Sequence, residues 1–233
     1  MENNEKNLNM TNIQKHLLRV NGKDLIFFAP ENDHTIFGTL SCLQNNKFSL
    51  NKVPFAEDDI VVDIGCNVGL MSLVIASQVP FVKILAFDAS TTAIDCLKMA
   101  IEANGIKNLE AFNFAIGADD EKEVTFYSDG KNKSCLIESG LNGTNVTKDC
   151  VVSKIKIDDI FDCYAGGEKI KYLKMDIEGG EFCIFNRLFN ERKDLLEKIE
   201  FLHLEVHEFK ELDPDGLRAK VKAHFGDRVF FDT

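Results

Sequence analysis

From residue 60 onward, short apolar runs alternate with segments of helical spacing, and this order constrains the fold more than any other feature of the chain. IVVDI (60–64) is a β-rich run. Val68 to Ser77 then carries Leu70, Leu73 and Val74 on one face of a predicted helix, closed by Pro80. FVKILAFD (81–88) reads as a second buried strand. Thr91 or Thr92 is expected to cap a helix that runs to Asn104, where Asn104-Gly105 is a stop signal. LEAFNFAIG (109–117) alternates as a third strand. Strands over 170–176 and 199–206, helices over about 180–197 and 214–225, and a last strand-like piece, RVFFD, complete the series.

Near-continuous apolar strands that alternate with helices require a parallel sheet covered on both faces. The expected fold class is therefore α/β, a Rossmann-like, doubly wound, mostly parallel sheet. Residues 118–150 differ: they are polar, with one strand-like piece, EVTFYS, and read as an insertion. VVSKIKI (151–157) alternates strictly, like an antiparallel strand with one wet face. Residues 1–12 are expected to be a disordered lead, 13–58 a less regular preface that packs on the core or covers the site, and 59–233 the main domain. The 233 residues suffice for one sizeable core.

Composition narrows the partners. The net charge of -11 disfavours a nucleic-acid backbone, which needs clustered Lys and Arg. No apolar run reaches the roughly 18–20 residues of a membrane span, so no membrane is expected. The polar N-terminus lacks the apolar core of a secretory signal. Seven scattered cysteines with no CxxC suit reduced thiols in the cytoplasm better than disulfides or zinc. Without a secretory signal, the sequons at Asn132, Asn142 and Asn145 are read as chance.

Ligands of such a sheet sit at the C-terminal strand ends, near the point where strand order reverses. The first strand end is VDIGCNVG. A dinucleotide fingerprint, GxGxxG, fails at Asn67 and Leu70. The pattern is instead Asp63, Gly65, Asn67, Gly69. An acid before the turn repels a pyrophosphate and suits a ligand with an ammonium and a sulfonium, such as S-adenosylmethionine. The glycines would let a ligand approach the backbone, or serve only a tight turn. Asp88, 23 positions after Gly65, can accept two hydrogen bonds from ribose hydroxyls, or cap a helix. Asn113, Phe114 and Ala115 would lie beside an adenine, with Phe114 also readable as core.

VVDIGCNVG, AFDAS, FNFAIG, KYLKMDIEGGEFCIF and LHLEVH, in this order, resemble the FkbM family of S-adenosylmethionine-dependent methyltransferases. The resemblance covers roughly residues 50 to 225 and is most specific at Lys174, Asp176, Glu178, Gly179 and Glu181. Cys66 stands where the family usually has Ala, and Asp88-Ala89 where it has Glu-Pro. The family's sheet normally ends in a hairpin, whereas this chain stops at Thr233 soon after one strand, so the resemblance leaves that edge incomplete. It implies a class I methyltransferase domain, with Asp88 and Ala89 at the cofactor. It also implies methyl transfer, commonly to a hydroxyl of a sugar or small metabolite.

An alcohol nucleophile must lose its proton, so an acceptor near the methyl group helps. Asp176, at the fourth strand end, is the first candidate for contact with cofactor or substrate. Glu178 joins it on the same side if the strand continues, and Lys174 offsets part of the repulsion. FLHLEVH puts His203, Glu205 and His207 on one face. His207, nearest the C-terminal end of the strand, is placed to accept a proton; it and Glu205 both stand between function and structure, and His203 reads as a core histidine. A metal site on these groups ranks below the base reading, and none is assigned. Glu181 reads as a helix-start residue. The competing readings are a nicotinamide-dependent oxidoreductase and a non-catalytic cofactor-binding module. The sequence carries no code for the acceptor or the oligomeric state. Acceptor choice falls to the preface and to residues 118–150.

Overall fold

The computed structural model describes residues 13–31, 33–128, 134–135, 147–209 and 212–232. The expected lead at 1–12, the three sequons and most of the tip of the polar insertion lie outside the described residues. Two antiparallel strands, β1 (Ile13–Val20) and β2 (Lys23–Pro30), open the chain. Asn21 and Gly22 join them at φ 48° and 80°. Positive φ at both central residues is the tight hairpin turn that Asn-Gly favours. The preface is thus more regular than expected. Helix α1 (Thr35–Gln44) follows.

The main sheet contains β3 (Ile60–Ile64), β4 (Lys83–Asp88), β5 (Leu109–Asn113), β10 (Ile170–Met175), β11 (Ile199–Leu204) and β12 (Val229–Phe231). Its order is β12-β11-β10-β3-β4-β5, and all its neighbouring strands pair in parallel. Strand order reverses between β3 and β10, which is the switch point. Helices α2 (Leu70–Gln78) and α3 (Thr91–Asn104) link β3, β4 and β5. A second sheet, β6-β9-β7-β8, is built from β6 (Ala115–Gly117), β7 (Glu123–Ser128), β8 (Ser134–Cys135) and β9 (Thr147–Lys156). A short turn of helix, α4 (Ile157–Asp159), leads back to β10. Helices α5 (Gly180–Asn190), α6 (Lys193–Leu196) and α7 (Pro214–Phe225) complete the fold. No described helix is long and apolar enough to cross a membrane.

Pleat alternation divides the core in two. Val62, Ile64, Leu173, Met175, Leu202 and Leu204 face α5 and α7. Val61, Ile84, Ala86 and Tyr172 face α2, α3 and the N-terminal hairpin. Side-chain hydrogen bonds tie the N-terminal segment to this second face. The buried Tyr172 hydroxyl donates to Phe48 O at 2.8 Å, and Asn104 Nδ2 donates to Ile26 O at 2.6 Å.

The boundaries differ from expectation in several places. Ser90, not Thr91 or Thr92, caps α3, accepting from Ala93 N. The third strand breaks at Phe114, because Asn113 Nδ2 donates to Asp88 O and Ala89 O while β6 leaves to pair with β9. The helix expected over 180–197 divides after Asn190, where Arg187 and Arg192 both grip Asp158. The strands expected to reach 176 and 206 end at Met175 and Leu204.

Candidate active site

Register and pleat together build a charged row across the sheet. Lys174 pairs with Asp63 on one side and with His203 on the other, and all three are buried on the α2 face. Lys174 Nζ donates to Gly65 O at 2.7 Å and lies 3.6 Å from Asp63 Oδ1 and 3.4 Å from Asp176 Oδ2. Asp63 Oδ2 accepts from Ser72 Oγ at 2.6 Å, and its Oδ1 has no hydrogen-bond partner. Burial opposes the charge on Lys174, but Asp176 and Asp63 outweigh it and raise its pKa.

The ladder runs on past the strand ends. Asp176 N donates to Ile64 O at 3.1 Å, Glu205 N to Met175 O at 3.0 Å, and Asp232 N to Leu204 O at 3.3 Å. Asp88 closes β4 on the far side. Four strand mouths therefore present Asp88, Asp176, Glu205 and Asp232 in one upper row.

The glycine turn interlocks with this row. A Cβ on Gly65 would lie 1.7 Å from Asp176 O, and one on Gly69 would meet Leu97 at 2.4 Å. Both have φ above +70°. Protein packing and turn geometry require both glycines, and Gly65 also lines the cavity described below. Asn67 N donates to Asp88 Oδ2 and Ser90 N to Asp88 Oδ1, both at 2.8 Å. Asp88 so clamps the turn to β4 and keeps a spare lone pair on each oxygen. Burial raises its pKa and these two N–H groups oppose the rise.

Glu178 reaches the site through a turn, not through a continued strand. It sits at φ 50°, with Gly179 at 103° and α5 starting at Gly180. Glu181 is fully buried. It accepts from Gly179 N at 2.8 Å and His207 N at 2.9 Å, and it holds His207 Nδ1 at 3.0 Å. His207 Nε2 then faces Glu178 at 3.4 Å, Glu205 at 3.6 Å and Asp176 at 3.7 Å. Burial works against charging this ring, but the Glu181 hydrogen bond and the surrounding carboxylates raise its pKa to about 9. A ring raised this far favours its cation at neutral pH. Burial, then the charge of Asp176, pushes Glu205 up to about 7. Burial, then Lys174, lowers His203 to about 4, so it is neutral. One atom each from Asp176, Glu178 and His207 lie within 4.8 Å of one another, close enough to share a metal ion.

A cavity of about 480 Å³ lies over these strand mouths. Of the residues proposed from sequence, Asp63, Gly65, Asn67, Asp88, Ala89, Phe114, Ala115, Asp176, Glu178 and Glu205 line it. Gly69 and His207 are not among the described lining residues. The N-terminal segment supplies Thr35, Thr39, Cys42 and Phe48, and Asn67 Nδ2 donates to Thr35 Oγ1 at 2.6 Å. Sequence reasoning missed these wall residues, Asp232, and the anchoring role of Glu181. The lysine within the apolar run IKYLKM was a usable signal for the buried row, since an unpaired Lys is almost never buried.

A family profile described as "Methyltransferase FkbM domain" matches residues 63–229. The chain is similar to Methyltransferase 1 of Beauveria bassiana, 22% identical over 161 residues that cover 63% of this chain and 65% of that one. The chain thus spans just under two thirds of that relative's length. It is also similar to Methyltransferase sdnD of Sordaria araneosa, 24% identical over 199 residues and 73% of each chain. A solved rRNA methylase from Streptococcus thermophilus aligns over 77% of each chain, with a TM-score of 0.42 and 13% identity.

Proposed function

The chain belongs to the FkbM methyltransferase domain family, and we propose that it methylates a hydroxyl oxygen of a small molecule or glycan, with S-adenosylmethionine as donor. The observation that carries this reading is the upper row of carboxylates at the switch point, with one of them, Glu205, poised near pH 7. The cavity wall fits the donor. Its size lies within the usual range for ligand pockets. Asp88 has lone pairs to spare for two ribose hydroxyls, between Ala89 and the Phe114–Ala115 segment. Seven carboxylates line the cavity, at Asp33, Asp63, Asp88, Asp176, Glu178, Glu205 and Asp232, against the single ammonium of Lys174, which favours a ligand with cationic groups. A nicotinamide dinucleotide fits this wall poorly, because its pyrophosphate would meet Asp63 and Asn67 in place of a glycine.

Bound there, S-adenosylmethionine supplies a methyl group on a sulfonium, whose thioether leaves readily. The residues must then position the acceptor and take its proton. Glu205 accepts the hydroxyl proton, because its pKa near 7 leaves a large fraction ionised at neutral pH yet basic enough to bind a proton. Asp176 orients the hydroxyl from the neighbouring strand. His207 and Lys174 are fixed cations that hold the clustered carboxylates together, and Glu181 fixes the ring of His207. The net charge of -11 supports a small acceptor over a nucleic acid, and the scattered cysteines support a cytoplasmic setting.

The test is incubation with methyl-labelled S-adenosylmethionine and a panel of hydroxylated small molecules and glycans. Label is expected on oxygen, with Glu205→Gln reducing turnover by about a hundredfold or more, the usual worth of a positioned base. Label on nitrogen or carbon, or full turnover in Glu205→Gln, overturns the reading.

A further inference from the structure

We infer that the acceptor is an amino alcohol or amino sugar, whose ammonium sits at the β11–β12 corner of the cavity beside His203 and Asp232. This rests on the methyltransferase reading above and adds the charge of the acceptor to it.

The corner lies well away from the nucleoside side. From Asp88 on β4 to Glu205 at the end of β11 there are three strand steps, about 14 Å at about 4.8 Å per step. A second molecule therefore has its own stretch of wall. That wall holds two side chains with unmet polar atoms. His203 is 1% exposed, and its Nδ1 has no hydrogen-bond partner. Asp232 Oδ1 also has none, although Lys47 Nζ approaches it to 3.5 Å, and Cys42 Sγ donates weakly to Asp232 Oδ2 at 3.7 Å. Both side chains line the cavity.

Charge selects what can meet these atoms. Glu205 and Asp232 end adjacent strands, and Lys174 is already committed to Gly65 O, Asp63 and Asp176. A neutral or anionic acceptor would desolvate these carboxylates and leave them only the long contacts to Lys47 Nζ at 3.5 Å and His207 Nε2 at 3.6 Å. An ammonium has three donors and no acceptor, which matches Asp232 Oδ1, His203 Nδ1 and one Glu205 oxygen. The Phe48 ring, 5.1 Å from the His203 ring, adds an aromatic wall of the kind cations favour. With its ammonium there, a hydroxyl a few bonds away reaches the Glu205 carboxylate.

The test is calorimetric titration of matched probes into the protein saturated with S-adenosylhomocysteine. Glucosamine is compared with N-acetylglucosamine and glucuronate, and ethanolamine with ethylene glycol. The cationic member of each set is expected to bind about tenfold or more tightly. That preference should shrink in Asp232→Asn and at high salt. Equal or tighter binding of the neutral or anionic members, or no binding of the cationic ones at millimolar concentration, overturns the inference. The salt dependence is read on the wild-type protein, so a poorly folded Asp232→Asn does not block the test. Affinity for S-adenosylhomocysteine is measured first. Its loss strikes the methyltransferase reading, and the probes are then titrated into the protein alone. Intact affinity without a charge preference strikes only the amine.

Discussion

At the scale of single residues, the proposed acid–base work falls to Glu205 and His207, a choice that the sequence left open among Asp176, Glu205 and His207. Burial and the charge of Asp176 raise the carboxyl, while Glu181 and its neighbours raise the imidazole. For an identified acceptor, kcat/KM should rise as Glu205 ionises near pH 7 and fall as His207 loses its proton near pH 9. A profile that rises through pH 6.5 with no limb near 9 would return the proton-accepting role to an ordinary histidine. The same shift has a sign for stability. His207 titrates higher in the folded protein than its ordinary 6.5, so its contribution is complete below that pH and lost as pH rises through about 9. Glu181→Gln should lower the His207 pKa toward 6.5, as seen by NMR titration of the ring, and flatten the decline of melting temperature between pH 7 and 10. An unchanged ring pKa would show that Glu181 is not its anchor. Alternation along FLHLEVH made His203 and Glu205 legible in the sequence, because a strand repeats every second residue. The Glu181–His207 contact was not legible. It joins residues 26 positions apart on different elements, and no local pattern encodes it.

At the scale of elements, the sheet was the most legible part, because buried parallel strands leave near-continuous apolar runs. Its mouths were less so. The glycine turn and the turn after β10 press on each other, and only the folded pair reveals that Gly65 is shaped by Asp176 O. Gly65→Ala and Gly105→Ala separate the two demands on a glycine. Gly105, at φ 63°, has open space where a Cβ would go, so its substitution should cost about 1–2 kcal/mol of left-handed strain. Gly65→Ala adds a backbone collision and should cost about 4 kcal/mol or more, in the range reserved for core disruption. Equal losses in urea unfolding would show that the β3 and β10 mouths do not interlock. The break at Phe114 escaped prediction because LEAFNFAIG alternates throughout, and the side-chain bonds of Asn113 that stop β5 are tertiary. The Asn21-Gly22 turn, by contrast, was present in the sequence as a hairpin signal and went unused.

At the scale of the whole molecule, the site is a joint product of the sheet and the segment before it. Pro30, Asp33, Thr35, Thr39, Cys42 and Phe48 line the cavity, and the buried Tyr172 hydroxyl holds this segment at Phe48 O. Tyr172→Phe removes that bond and leaves a carbonyl unpaired, for a loss of about 1–3 kcal/mol on thermal or urea unfolding. A change within error would mean that the wall is held by packing alone. The composition argued against nucleic acids and membranes as partners but could not show which segment closes the cavity, since that depends on how two distant parts meet. The central claim is that the turn of Asp63 to Gly69, clamped by Asp88, holds S-adenosylmethionine. Calorimetric titration of S-adenosylhomocysteine into the wild-type protein and Asp88→Ala tests it most directly. Saturable one-to-one binding is predicted, weakened about tenfold or more by the substitution, with no heat from NAD. Absence of binding to folded wild-type protein, or tighter binding of NAD, would contradict it.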